Sequence, residues 1–278
     1  MKERKILGLK VSDFVFSLAI FFVILSTLLF FLIDLRNIFG LRDLLLSADR
    51  RYFFFGYQPF FFQHWGRNSG FAEIIQFSFL GLSVMFAGYN SGLLYRNKKK
   101  LSKFWLIMSI VLLLMLLQDA GDMRHLPMSY VMWAFGEIDQ GVAGTLVELL
   151  YFAVLGGVPL YALIKYWKDI KVYVRSKYYL LIGFFFYALA GGLSFIGTAF
   201  EGLLDRNVYN ILGEHMYNFA LSIGDSNLQM VWSEASFNIQ FFLMDSLLEE
   251  NIEIIAAGAL LASVLAFWRS YTRNVDMS

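Results

Sequence analysis

The stretch "VSDFVFSLAIFFVILSTLLFFLI", residues 11–33, sets more than twenty residues in succession with a single carboxylate near its start. A helix of about 20 apolar residues crosses the roughly 30 Å hydrocarbon core of a bilayer, and a chain that must satisfy its own backbone there has helices or closed barrels to choose from. Windows of this kind recur at 12–34, 71–94, 102–119, 143–164, 178–200 and 246–268. They predict an all-α, polytopic transmembrane bundle of six spans, and the charged fraction of 16% sits well below the roughly 25% usual for soluble domains. The first window is too long for a signal-peptide core and lacks a small-residue cleavage site after it, so it reads as a retained helix.

The charges sort along the membrane normal. The segments "MKERKILGLK", "YRNKKKLSK", "KYWKDIKVYVRSK" and "WRSYTR" hold 16 of the 23 Lys and Arg, which the positive-inside rule places in the cytoplasm with both termini inside. The other seven, Arg36, Arg42, Arg50, Arg51, Arg67, Arg124 and Arg206, fall on the far side with His64, His125 and His215, and 18 of the 22 acids lie there or in the outer half of a span. The expected location is therefore a multi-pass protein of a cell (inner) membrane, its polar chemistry extracytoplasmic and its first partner the lipid bilayer. A net charge of +1 gives no footprint for nucleic acid, and the absence of cysteine excludes disulfides, thiolate metal sites and iron–sulfur clusters.

Between the windows, "GLRDLLLSADRR" and the aromatic run "YFFFGYQPFFFQHW" suggest an interfacial belt or plug, and 201–245 reads as amphipathic helices on the bilayer or over the bundle. Neither loop is large or polar enough for a second domain, so 1–278 is one integral membrane domain. Three segments begin alike, with Glu73, Glu148 and Glu253 each followed by two aliphatic residues, which suggests a helical-hairpin repeat over 12–94, 102–164 and 178–268. Gly88, Gly92, Gly156, Gly157, Gly191, Gly192 and the Ala256-Ala257-Gly258 run are expected to let helices approach closely.

Counting about 1.5 Å per residue from the nearest cytoplasmic base puts Asp119, Glu148 and Glu253 at one level, roughly 24 to 25 Å in, with Asp34, Glu73 and Glu201 farther out at roughly 34 to 36 Å. An ionised carboxylate facing lipid at the deeper level costs about 2.5 kcal/mol or more, so such groups turn inward and find partners. In "QDAGDMRH" Asp119 and Asp122 stand three apart and share a face, and His125 joins them if the helix loosens beyond Gly121. In "MDSLLEENIEII" Asp245, Glu249 and Glu253 form a stripe with Glu250 beside it, which calls for Arg124 or Arg206, a bound cation, or shared protons. The candidate ligands are thus Asp119, Asp122, His125, Glu148, Glu249, Glu250 and Glu253. Their oxygen-rich donor set suits Ca²⁺, Mg²⁺ or Mn²⁺, and with His125 or His215 also Zn²⁺ or Fe²⁺.

With "QDAGDMRH" closing one span and "LLEENIEIIAAGALL" opening the last, the chain resembles bacterial polytopic membrane proteins of uncharacterised function that pair an acidic and histidine motif of the DE...HE kind with a late EE..E helix. That resemblance implies a bacterial membrane protein and no reaction. Asp119 and Asp122 are also similar to part of the NDxxD motif of UbiA-type prenyltransferases, but Gln118 and Leu126 replace two motif residues and the number and side of the spans differ, so no role is carried over. No GxSxG, HExxH or P-loop is present. Three functions fit these residues. One is ion handling or transport through a cation or proton site of carboxylates. Another is a structural subunit that pairs with a second membrane protein or another copy of itself. The third is a metal-dependent enzyme for a lipid substrate, using Asp119, Asp122, His125 and Glu253.

Overall fold

A computed structural model of the protein describes residues 5–6, 9–47, 60–66, 70–121, 130, 133, 140–199, 208–235 and 237–275. Among the described residues, regular structure is helical apart from a two-residue antiparallel pair, Lys5–Ile6 with Leu9–Lys10. Helix α1 (Val11–Leu29) runs on into a π-helical turn, Phe30–Leu35, and is followed by the short α2 (Leu41–Ser47) and α3 (Phe61–Gly66). The long helices α4 (Phe71–Leu94), α5 (Lys99–Gly121), α6 (Gln140–Ile170) and α7 (Val174–Ala199) come next. Helices α8 (Val208–Ile223), α9 (Leu228–Ser233) and α10 (Ile239–Phe242) lead through a second π-helical segment, Leu243–Glu249, into α11 (Glu250–Val275). Six of these stretches are long and apolar enough to cross a membrane: Val11–Leu35, Phe61–Leu94, Lys99–Gly121, Leu149–Ile170, Val174–Phe195 and Ile239–Arg273. Each contains or overlaps one of the windows read from the sequence.

The last helix is the hub. In its most apolar stretch 83% of residues are buried, against 17% for the first span, and α11 packs on α1, α4 and α7 at once. A helix apolar on every side is suited to that position, since no face need be turned to water. Close approach comes from small residues at two crossings. A Cβ on Gly258 would stand 2.4 Å from the Ala19 Cβ of α1, and one on Gly183 of α7 would stand 2.6 Å from Leu260. Polar side chains tie α11 to α1 and to α4, with the Ser26 hydroxyl donating to Asn251 Oδ1 at 2.8 Å and Asn90 Nδ2 to the Val264 carbonyl at 3.2 Å. The neighbours are α5 with α6 and α7 with α11, while α1 leans chiefly on α11.

The basic segments meet at one end. Lys98, Lys99 and Lys100 at the α4–α5 turn and Lys168 and Asp169 near the α6–α7 turn line a common hollow. Lys98 Nζ also lies 5.8 Å from the ring centre of Tyr271 on α11, and Arg175 on α7 reaches Asp13 of α1 at 2.9 Å.

The opposite end carries a second apolar cluster in which Phe30, Phe60, Phe62, Leu228, Trp232 and Leu243 are buried against one another. The aromatic run therefore enters the protein at Phe60, Phe62 and Trp65, while 48–59 lie outside the described residues. Helices α8 and α9, within the segment read as amphipathic, complete this cap.

Candidate functional site

Adjacent antiparallel helices joined by a short turn bring residues equally far from that turn to the same level. Gln76 on α4 and Asp119 on α5 stand in that relation, and Gln76 Nε2 donates to Asp119 Oδ2 at 2.6 Å. The same nitrogen donates to Glu253 Oε2 of α11 at 2.8 Å and approaches the Tyr187 hydroxyl of α7 at 3.3 Å. Tyr187 in turn donates to Asp119 Oδ2 at 3.2 Å. Two carboxylates from different spans thus share one amide donor. Asp119 and Glu253, two of the three acids expected at one deep level with Glu148, meet at a junction of four helices.

This junction forms part of the wall of a cavity of about 940 Å³ between α4, α5, α6, α7 and α11. Six carboxyl side chains line it, from Glu73, Asp119, Asp245, Glu249, Glu250 and Glu253, and no Lys, Arg or His is among its described lining residues. Glu73 was expected with the headgroup acids but stands one turn from Gln76 on the same face of α4, as i, i+3 spacing requires. Asp245, Glu249 and Glu250 reach the cavity together from the π-helical segment and its junction with α11. Such a segment takes an extra residue into its turn, which changes the direction of the side chains relative to a plain helix. The Glu249 carboxylate accepts from the Tyr209 hydroxyl of α8. Burial, and then the charge of Glu249, pushes the Tyr209 hydroxyl well above its ordinary pKa.

Three acceptor oxygens in this wall are buried and have no hydrogen-bond partner among the described residues: Gln76 Oε1, Gln118 Oε1 and Glu250 Oε2. Gln76 is 1% exposed and Gln118 9%. The remainder of the lining is apolar, with Phe77, Phe152, Leu155, Leu163, Phe184 and Phe195 facing the space. Gly156 and Gly192 also border it, and an added Cβ on either meets nothing within 4 Å. This corrects the expectation that these glycines bring helices together. Of the group, Gly258 meets a neighbour closer than 3 Å, while a Cβ on Gly88 or Gly191 would stand in ordinary contact with Ser109 at 3.5 Å or Phe152 at 3.4 Å.

Of the candidate ligands, Asp119, Glu249, Glu250 and Glu253 share the cavity. Glu148 lies in α6 one position before the lining residue Leu149, but its side chain is outside the described set, as are Asp122 and His125 altogether. His215 is exposed on α8 and does not line the cavity. Among the described residues no three His, Asp or Glu side chains are grouped so as to hold a metal ion. Gln76, Gln118 and Tyr187 went unassigned in the sequence. A glutamine inside an apolar span is a visible signal, whereas Tyr187 is one of 15 tyrosines and carries none.

The same end holds a second acidic group of different character. Asp34, fully buried, accepts from the backbone N–H of Phe61 at 2.8 Å and of Phe62 at 2.9 Å and so caps the start of α3. Arg42, also fully buried, donates to the Asp34 carbonyl at 2.9 Å and to Asp225 Oδ2 at 2.8 Å. A tight reversal through Asn37 (φ 46°), Phe39 (φ 56°) and Gly40 (φ 68°) folds the chain back to place that arginine. Asn37 Oδ1 then accepts from the Arg42 N–H at 3.0 Å.

No family model, curated protein or solved structure matches the chain, so the reading of the cavity rests on its own chemistry.

Proposed function

We propose that the acid-lined cavity is a cation or proton site in a membrane bundle that handles ions. The observation that carries this reading is the wall itself: six carboxyl groups around one space, in which the buried acceptor oxygens Gln76 Oε1, Gln118 Oε1 and Glu250 Oε2 have no hydrogen-bond partner among the described residues. Like charges so arranged in a low-dielectric bundle are compensated by a bound cation or by protons they share. Gln76 and Tyr187 hold Asp119 and Glu253 in place through an amide and a phenol, which are neutral donors. With the lysine-bearing end in the cytoplasm, as the positive-inside rule has it, both termini are inside and the cavity lies toward the extracytoplasmic half.

The test uses the full chain in nanodiscs and the double variant Asp119→Asn/Glu253→Gln, which keeps hydrogen-bonding groups at both positions. Calorimetric titration with Na⁺, Mg²⁺ and Ca²⁺, and proton uptake on an acid pulse, should give binding in the parent chain that drops at least tenfold in the variant. Equal binding and proton uptake in both forms would rule the reading out. Because the chain has no cysteine, single cysteines at Lys100 and at Glu214 report the orientation cleanly. Under the proposed topology an impermeant maleimide applied to intact cells labels only position 214. Labelling at 100 alone reverses the orientation.

A further inference from the structure

We infer that the cation this cavity takes is a protonated organic amine carrying an apolar or aromatic body, an amphipathic ligand bound head-first against the carboxylates. The inference rests on the cation-site reading above and goes on to name the ligand class. Size is the first ground. A water occupies roughly 30 Å³ of liquid, and ligand pockets for drug-sized molecules run to about 300–1,000 Å³. At about 940 Å³ the cavity is far larger than a bare or partly hydrated ion requires. Nor does any group of three acid or histidine side chains among the described residues offer a metal its ligand set.

The second ground is the sign of the unmet hydrogen bonds. Gln76 Oε1, Gln118 Oε1 and Glu250 Oε2 are all acceptors, each buried in the cavity wall without a hydrogen-bond partner among the described residues. A buried acceptor is satisfied by a donor, and an ammonium group offers up to three N–H donors together with its charge. A quaternary ammonium supplies the charge but no N–H. A phospholipid headgroup brings a phosphate that the carboxylates repel.

The third ground is the other half of the wall. Phe77, Phe152, Phe184 and Phe195, with Leu155 and Leu163, suit the body of such a ligand and present ring faces to a cation. Glycines keep that half open, since a Cβ added at Gly156 or Gly192 meets nothing within 4 Å.

The test is isothermal titration of the full chain in nanodiscs with four probes: 4-phenylbutylamine, its trimethylammonium analogue, 4-phenylbutanol and methylammonium. The amine should bind at least tenfold more tightly than the quaternary analogue and the alcohol, and Asp119→Asn/Glu253→Gln should remove the difference. Gly156→Leu, at a position bordering the cavity where an added Cβ meets nothing within 4 Å, should weaken 4-phenylbutylamine at least fivefold and leave methylammonium unchanged. Equal binding of amine and alcohol overturns the inference, as does equal binding of amine and quaternary analogue. If Na⁺, Ca²⁺ or protons bind in a carboxylate-dependent way while none of the amines does, the ligand class is wrong and the cation site survives. If no cation of any kind depends on the carboxylates, both readings fall.

Discussion

Two groups of acids lie at the same end of this protein and are treated in opposite ways. Around Arg42 the buried charges are matched: one guanidinium meets Asp225 and the Asp34 carbonyl, and the Asp34 carboxylate is spent on two backbone donors of α3. In the cavity, six carboxyl groups face one space with amide and phenol donors for support and no basic side chain among the described lining residues. The first arrangement is a knot that joins α1, α3 and the α8–α9 connection, and its charges face partners within the chain, although Arg42 Nε, 3.9 Å from Asp43 Oδ1, has no hydrogen-bond partner among the described residues. The second leaves Gln76 Oε1, Gln118 Oε1 and Glu250 Oε2 buried without a hydrogen-bond partner among the described residues, and buried acceptors of this kind are what a donor ligand would satisfy. The comparison also separates burial from function, since Asp34 is the most deeply buried of these acids and yet has a structural task.

Substitution at the knot should have the largest effect. Arg42→Met leaves Asp225 and the Asp34 carbonyl without their donor, and breaking a buried pair by removing one partner typically costs about 3–5 kcal/mol. Unfolding in detergent should show a loss of that order with cation binding by the surviving fold unchanged. A loss below about 1 kcal/mol would mean that the knot is not the support described here.

Next is Gly66, where α3 meets the second π-helical segment. A Cβ there would stand 1.7 Å from the Ser246 carbonyl oxygen, so Gly66→Ala forces backbone apart. Overpacking of this kind costs about 1–3 kcal/mol. Because the shift displaces the segment bearing Asp245 and Glu249, cation binding should weaken as well. Unaltered stability and binding would break the link between α3 and the cavity wall.

In the cavity the sign should reverse. Asp119→Asn removes one of six like charges while keeping an acceptor for Gln76, and should leave stability unchanged or raise it by about 0.5–1 kcal/mol, the scale of modest charge interactions, while binding falls. A destabilisation like that of Arg42→Met would erase the distinction between knot and site. The smallest effect belongs to Gly156→Ala, which replaces a mid-helix glycine where a Cβ meets nothing within 4 Å. It should stabilise by about 0.5–1 kcal/mol.

One prediction concerns pH. Tyr209 is neutral in the fold and its pKa is raised there, so its contribution to stability is fully present below the ordinary tyrosine value of 10.0 and is lost as pH rises beyond it. Thermal unfolding followed from pH 8 to 11 should fall more steeply for the parent chain than for Tyr209→Phe. Parallel curves would show that burial and the Glu249 contact do not hold Tyr209 neutral in the fold.

The sequence by itself determined the helical spans, because the length and hydropathy needed to cross hydrocarbon are local properties that can be counted along the chain. Depth reckoning from the lysines likewise put Asp119 and Glu253 at one level, since rise per residue is fixed in a helix. What it left undecided was which acids meet. Asp34 and Glu73 came out at similar depth, yet one caps α3 and the other lines the cavity, because azimuth about the bundle depends on which helices are neighbours. Glycine was equally ambiguous, since Gly258 sits at a crossing and Gly156 beside a void with the same chemistry at each. Only the tertiary structure made Gln76 the donor shared by two carboxylates. It also turned Asp245, Glu249 and Glu250 together into one space, through a π-helical turn that depends on packing against α3 and α8 and leaves no pattern in the sequence.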